Sequence, residues 1–174
     1  IDYRKLNLLT ITQPYPFPSI RDQFLDLKGA KIFSLIDLKQ GFYQIPILRK
    51  DCHKTAFSIL GDKYEFLRLP FGLKNAPFFF QKTMYRILLK FNFVKVFIDD
   101  ILIYSKNINE HYEHINTILK HLLKNNVSIN PEKCHFAKEG VKFLGYESNE
   151  NGYCADTSRV EKFDNFKPPT SKKK

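Results

Sequence analysis

The 174-residue chain has no tryptophan, one methionine and three cysteines. Cys52, Cys134 and Cys154 are odd in number, widely spaced and include no Cys-x-x-Cys, which excludes a disulfide framework and a zinc knuckle. A reducing, intracellular compartment fits that usage. No run approaches the ~18 consecutive apolar residues of a membrane span, and no charged-then-apolar leader opens the chain. Internal repeats are absent too. What the chain does have is 43% hydrophobic residues, with 17 Phe and 9 Tyr, enough for a packed core. Its 28 Lys and Arg against 18 Asp and Glu leave a net charge of +10, which suits a polyanionic partner such as nucleic acid. The chain opens on Ile1 and closes on three lysines, so both ends read as cut from a longer polypeptide.

Local patterning predicts mixed elements. Residues 12–19 form an extended lead-in, because Pro14, Pro16 and Pro18 forbid a helix. Ser19 caps a short helix reaching Lys28, with Ile20, Phe24 and Leu27 on one face and Gly29 as its stop. KIFSLIDL at 31–38 reads as a buried strand carrying one charge, Asp37. Residues 45–59 read as two strands, with Gly61-Asp62 a turn before a strand at 64–69. Asn75 caps a helix with Pro77 in its first turn, and Phe80, Met84, Ile87, Leu88 and Phe91 follow at helical spacing. Residues 94–104 carry the densest strand signal. Residues 109–125 form an amphipathic helix with Tyr112, Ile115, Leu119 and Leu122 inward, and 143–148 with 152–155 a final hairpin. Strands and helices do not alternate regularly. That favours an α+β fold, an antiparallel sheet backed by helices, over a doubly wound sheet.

The segment VKVFIDDILIYS interrupts two apolar runs with Asp99-Asp100. One reading is a hairpin that turns at Asp-Asp, although two-residue turns prefer glycine where φ is positive. The other is a metal site, since adjacent carboxylates among apolar residues repel each other and resist desolvation until a cation relieves both. Asp37, at the end of its own apolar strand, is a second such anomaly; an ion pair with Lys39 is its plain explanation. Together the three carboxylates are the minimum for a two-metal centre of phosphoryl transfer.

At this point the chain resembles the reverse transcriptases of gypsy-type LTR retrotransposons and, more distantly, of retroviruses. IDYRKLNL at 1–8 looks like the family's early fingers motif, and FSLIDLKQGFYQI at 33–45 like the motif bearing its first catalytic Asp. TAF at 55–57 and YEFLRLPFGLKNAP at 64–77 look like the nucleotide and template region. FIDDILIYS at 97–105 looks like the aromatic-x-Asp-Asp motif, while INPEKCHF and VKFLGYESNENG, at 129–136 and 141–152, look like the later palm strands and primer grip. Six motifs in the family's order make the match specific.

The resemblance implies a polymerase palm at 31–45 and 75–155, partial fingers at 1–30 and 46–74, and a linker toward a thumb and connection at 156–174. It implies RNA- and DNA-directed DNA synthesis from deoxynucleoside triphosphates on a primed RNA or DNA template, with two Mg2+ or Mn2+ ions. Asp37, Asp99 and Asp100 match the catalytic triad, and the Leu38 backbone carbonyl a further metal ligand. Phe42 matches the aromatic gate against a ribose 2′-hydroxyl, though core packing serves it equally. Phe71 and Gly72 match the nucleotide pocket floor and template contact, Leu144 and Gly145 the primer grip. Lys133 matches a candidate general acid and Arg4 a fingers arginine; for both a solvated surface charge is the simpler role. Implied partners are the rest of a pol polyprotein: thumb, connection, ribonuclease H, integrase and protease. Its setting is cytoplasmic, within virus-like particles, with no membrane.

The chain also departs from the family. Phe78-Phe79-Phe80 replaces smaller residues, Phe66 stands where Trp is common, and the basic fingers residues and thumb fall outside the sequence. A non-catalytic nucleic-acid-binding remnant is therefore the alternative function, and a cyclase-like two-metal enzyme a weaker one. His111, His114 and His121 share a helix, but without a four-ligand pattern they read as surface or partly packed residues.

Overall fold

The computed structural model describes residues 1–14, 17–150 and 152–155. The linker expected at 156–174 lies outside the described residues, as do Tyr15 and Pro16 of the lead-in. In chain order the elements are α1 (Arg4–Leu9), α2 (Ile20–Leu25), β1 (Ile32–Asp37), β2 (Phe57–Ile59), β3 (Asp62–Tyr64), α3 (Ala76–Leu88), β4 (Val94–Phe97), β5 (Asp100–Ser105), α4 (Ile108–Lys124), β6 (His135–Lys138), β7 (Gly140–Phe143), β8 (Tyr146–Asn149) and β9 (Gly152–Ala155). Short 3₁₀ turns occupy Gly41–Gln44, Arg49–Thr55 and Pro131–Lys133. No helix among the described residues is long and apolar enough to cross a membrane.

The expected α+β class is what the chain forms. Its central antiparallel sheet has the order β4-β5-β1-β6. Side chains alternate across it. On one face Ile36, Val94, Val96, Ile101 and Ile103 pack against Phe80, Met84 and Leu88 of α3 and Ile118 and Leu122 of α4. Each such buried side chain contributes about 1.5–3 kcal/mol by leaving water. On the other face Phe33 and Leu102 meet Phe24 and Leu27 from the α2 region and Val141 and Phe143 of the β7-β8-β9 sheet. Both faces are thus covered, and the sheet is thin enough that residues one apart in β1 serve different cores.

Several expectations shift. α2 stops at Leu25, short of Lys28, although Ser19 caps it as expected by accepting from the Asp22 N–H at 3.1 Å. Ile20 is exposed, while Phe24 and Leu27 are buried. The two strands expected at 45–59 reduce to β2, because Arg49–Thr55 winds into a 3₁₀ turn that buries Cys52 and Thr55. Asn75 precedes α3 but does not cap it with its side chain; its amide instead donates to the Ile11 carbonyl (2.9 Å) and accepts from the Gln13 N–H (3.1 Å). Tyr112 of α4 is exposed. Ile115, Leu119 and Leu122 face the core as expected, joined by Ile118, while His111 takes the buried place expected of Tyr112. The segment 143–148 is broken by a hairpin turn at Leu144-Gly145. The phenylalanine run is accommodated by helical rotation: Phe80 is buried while Phe79 is exposed.

The turn expected at Gly61-Asp62 lies one residue earlier. Ile59 pairs with Asp62, leaving Leu60 and Gly61 as the two central residues, with φ of 51° and 92°. That is the geometry of a type I′ hairpin, which suits Asn-Gly and strains a leucine. Leu60 is fully exposed, so its side chain contributes no packing. Leu60→Asn is expected to stabilise the protein by about 1 kcal/mol, read as a higher denaturant midpoint with an unchanged m-value.

Candidate active site

The β4–β5 hairpin turns at Ile98 and Asp99, since Phe97 pairs with Asp100. The turn is therefore not Asp-Asp, and the one-residue difference matters. It makes Asp100 the first residue of β5, where the β1–β5 register sets it directly opposite Asp37. Alternation then turns Asp37 and Asp100 to the face shared by Phe33 and Leu102, away from α3 and α4. Asp99 sits in the turn beside them, its carbonyl accepting from the Leu38 N–H at 3.3 Å. Three carboxylates meet at one sheet end. No ion pair among the described residues joins Asp37 to Lys39.

This arrangement is held against its own repulsion. Burial, reinforced by Asp99 and then Asp37, pushes the Asp100 carboxyl up to about 6. Ile98 has φ of 54°, a left-handed conformation that disfavours β-branched residues and costs on the order of 1–3 kcal/mol. Gln81 of α3 holds it. The fully buried amide of Gln81 accepts from the Ile98 N–H and donates to the Val96 carbonyl at 3.0 Å, spanning the turn from below. Gly41 is buried alongside; a Cβ there would stand 3.8 Å from the Asp99 Cβ and from the Phe80 ring. Sequence reasoning missed Gln81 and Gly41. The available signal was a glutamine one position after Phe80 on a helix whose inward face is otherwise apolar.

Among the described residues no group of three or more His, Cys, Asp or Glu is arranged to enclose a metal ion. The chemistry of the three carboxylates is that of hard oxygen donors that repel one another, which is the donor type divalent cations take, often with substrate phosphates completing the shell.

Next to Gly41 in the chain lies an aromatic cluster. Phe42, in the Gly41–Gln44 turn, has its ring centroid 4.9 Å from Phe71 and 5.4 Å from Phe80. It also packs partly against the helix-side core, so both of its expected environments are real. Phe71 is 54% exposed and also touches Tyr43. Gly72 has φ of 93°, where a side chain would be strained. Its carbonyl accepts from Asn7 Nδ2 and Asn7 Oδ1 accepts from the Lys74 N–H, both at 2.8 Å. Asn7, which sequence reasoning passed over, thereby staples the N-terminal segment to the 72–75 loop. Leu144 and Gly145 form a positive-φ turn (52° and 82°), and Leu144 packs on the same cluster as Phe97, hence on the carboxylate face. Arg4 is engaged elsewhere: its exposed guanidinium pairs with Asp2 at 2.6 Å and holds that carboxyl below its usual range. Lys133 is exposed in a 3₁₀ turn tied to the end of β1, its N–H donating to the Asn130 carbonyl (3.1 Å) and the Asn130 N–H to the Asp37 carbonyl (2.9 Å).

A carboxylate trio at the end of an antiparallel sheet is the donor set of two-metal phosphoryl-transfer sites, and comparison with known proteins narrows the class. The model of the reverse transcriptase (RNA-dependent DNA polymerase) family matches residues 1–148, and the chain belongs to that family. Relatives include the retrovirus-related Pol polyprotein from transposon opus of Drosophila melanogaster, 43% identical over 99% of this chain and 17% of its own length. The corresponding polyprotein from transposon gypsy of the same fly is 41% identical over 97% and 16%. The chain thus spans about a sixth of these relatives. Among solved structures, a foamy viral protease-reverse transcriptase in complex with double-stranded DNA superposes with a TM-score of 0.90 at 26% identity, covering 97% of this chain and 30% of that one. The same viral enzyme with an RNA/DNA hybrid gives 0.84 at 27% identity, covering 97% and 23%.

Proposed function

We propose that this segment carries the catalytic centre of an RNA- and DNA-directed DNA polymerase of a gypsy-type retrotransposon. The observation that carries the reading is the register that sets Asp37 opposite Asp100, with Asp99 in the adjoining turn. Two Mg2+ or Mn2+ ions held by Asp37, Asp99, Asp100 and the Leu38 carbonyl would neutralise the triphosphate and activate the primer 3′-hydroxyl. The protein's own part is positioning. Phe42 and Phe71 form the floor for the incoming deoxynucleotide, the Gly72 backbone meets the template, and the Leu144-Gly145 turn lays its backbone along the primer. Arg4 would contribute only charge near the triphosphate, and Lys133 a proton to the departing pyrophosphate. In this reading 1–30 and 46–74 belong to the fingers and 31–45 and 75–155 to the palm. The duplexes bound by the foamy viral enzymes support a primed template as the partner. The remainder of a pol polyprotein would supply thumb, connection and ribonuclease H, with protease and integrase in the same polyprotein, and virus-like particles in the cytoplasm the setting.

The test is primer extension by the full polymerase containing this segment, on oligo-dT annealed to poly-rA with Mg2+. Incorporation of dTTP is expected, and none above background would sink the reading. In the same assay Phe42→Ala is expected to raise ribonucleotide incorporation relative to deoxynucleotide about tenfold, on the scale of a lost steric contact of ~1–3 kcal/mol. Unchanged sugar discrimination would leave Phe42 a packing residue alone.

A further inference from the structure

Behind the sheet, on the face away from the carboxylates, His111 is fully buried in the first turn of α4. This contradicts the sequence expectation of a surface or partly packed residue. Its Nε2 lies 2.7 Å from Ser34 Oγ on β1, and its Nδ1 lies 2.7 Å from Ser105 Oγ on β5. Both serines are buried. Ser34 Oγ also accepts from the Ala137 N–H of β6 at 2.9 Å, and Ser105 Oγ lies 2.8 Å from His114 Nδ1. His114 stacks on Phe93 with ring centroids 3.6 Å apart.

Counting hydrogens gives this chain one direction in which each is used. A hydroxyl donates once, and a neutral imidazole donates from one nitrogen and accepts at the other. Ser34 then donates to His111 Nε2, His111 Nδ1 donates to Ser105, and Ser105 donates to His114 Nδ1. Burial, aided by His114 and opposed by Glu110, holds His111 below the ordinary histidine range, in keeping with a neutral ring.

The strands joined are those that carry the carboxylates. Ser34 pairs with Ile103 and Ser105 with Ile32, so the imidazole bridges a diagonal across β1 and β5. Hydrophobic alternation opposes a one-residue slip, because every side chain would change face. A two-residue slip keeps the faces and is not opposed in that way. It would, however, carry the serines away from the imidazole and Asp37 away from Asp100. On the third strand, the register shift between β1 and β6 falls where Ala137, with φ of 49°, directs its N–H onto Ser34.

We propose that His111 is a positioning residue for nucleotidyl transfer, its buried relay locking β1, β5 and β6 in the register that sets Asp37 opposite Asp100. The proposal rests on the polymerase reading of those carboxylates. In the full polymerase, His111→Phe leaves the buried Ser34 hydroxyl without its acceptor and Ser105 without its donor, whereas the triple variant Ser34→Ala, Ser105→Ala, His111→Phe removes both hydroxyls and unpairs only the part-buried Ala137 N–H and His114 Nδ1. The single variant is expected to melt lower and the triple to recover part of that loss. If the relay positions the carboxylates, the triple still shows a kcat down about 10- to 100-fold with KM for the nucleotide near wild type, and weaker Mn2+ binding by electron paramagnetic resonance. Recovery of kcat and Mn2+ affinity together with melting would overturn the proposal and reduce the relay to stability. Ser34→Ala alone, the mildest break, must also lower kcat; a folded Ser34→Ala enzyme of wild-type kcat and Mn2+ affinity overturns it equally. A wild type that extends no primer, yet binds Mn2+ more tightly than the triple variant, would remove the polymerase reading and leave the register lock standing.

Discussion

Asp100→Asn is expected to abolish nucleotide addition while raising the melting temperature of the metal-free protein at neutral pH. The two effects share one cause. Burial, then Asp99 and Asp37, push the Asp100 carboxyl up to about 6, above the ordinary 3.8. The folded protein therefore binds more protons than the unfolded chain between those values. Stability contributed by the protonated form is fully present below about 3.8 and is lost as pH rises through about 6. Asn removes both the charge and the dependence. Melting curves between pH 5 and 8 in chelator should show the wild type falling through that window and the variant nearly level. Primer extension should fall about 10³-fold or more, equivalent to roughly 4 kcal/mol of transition-state stabilisation, and Asp99→Asn should fall as far with primer-template affinity nearly unchanged. A variant that melts like wild type throughout would show that these carboxylates do not repel one another, and one that still extends primers would show that Asp100 does not serve the reaction.

Gln81→Met should be the most damaging change outside the acidic residues. Methionine preserves volume but leaves the Ile98 N–H and the Val96 carbonyl without the partners they have in Gln81. Each stranded group costs about 1–3 kcal/mol, so a loss of roughly 2–5 kcal/mol is expected in denaturant unfolding. The turn also loses the clamp on its left-handed isoleucine, and Asp99 follows that backbone. A displacement of about 1 Å at the reacting centre can lower kcat about 100-fold. The measurement is kcat at saturating nucleotide, made well below the variant's melting temperature. Stability lost with kcat intact would confine Gln81 to the core.

The carboxylates were legible in the sequence because charge in an apolar strand is anomalous at any depth of burial, and three such anomalies are rarer still. β1, α3 and α4 were legible for a related reason: residues 31–38, 76–88 and 108–124 each carry a strong apolar period, interrupted on the buried face by Ser34, Gln81 and His111. What failed were features whose cause is not local. Arg49–Thr55 follows from the burial of Cys52 and Thr55 against distant residues, including the Phe66 N–H that donates to Thr55. The amide of Asn75 could cap α3 or reach Ile11, and only the path of residues 11–13 chooses between them.

The sequence by itself therefore determined three carboxylates and their approximate strand ends, a net basic charge and, through the order of its motifs, the resemblance to reverse transcriptases. Tertiary structure decided the register. The hairpin turns at Ile98-Asp99, where the Ile98 N–H donates to Gln81, a partner 17 residues away and invisible to local propensity. Turning at Ile98-Asp99 makes Asp100 the first residue of β5, and the separate β1–β5 register sets it opposite Asp37 on one side of the sheet, because side chains alternate along a strand and facing residues share a side.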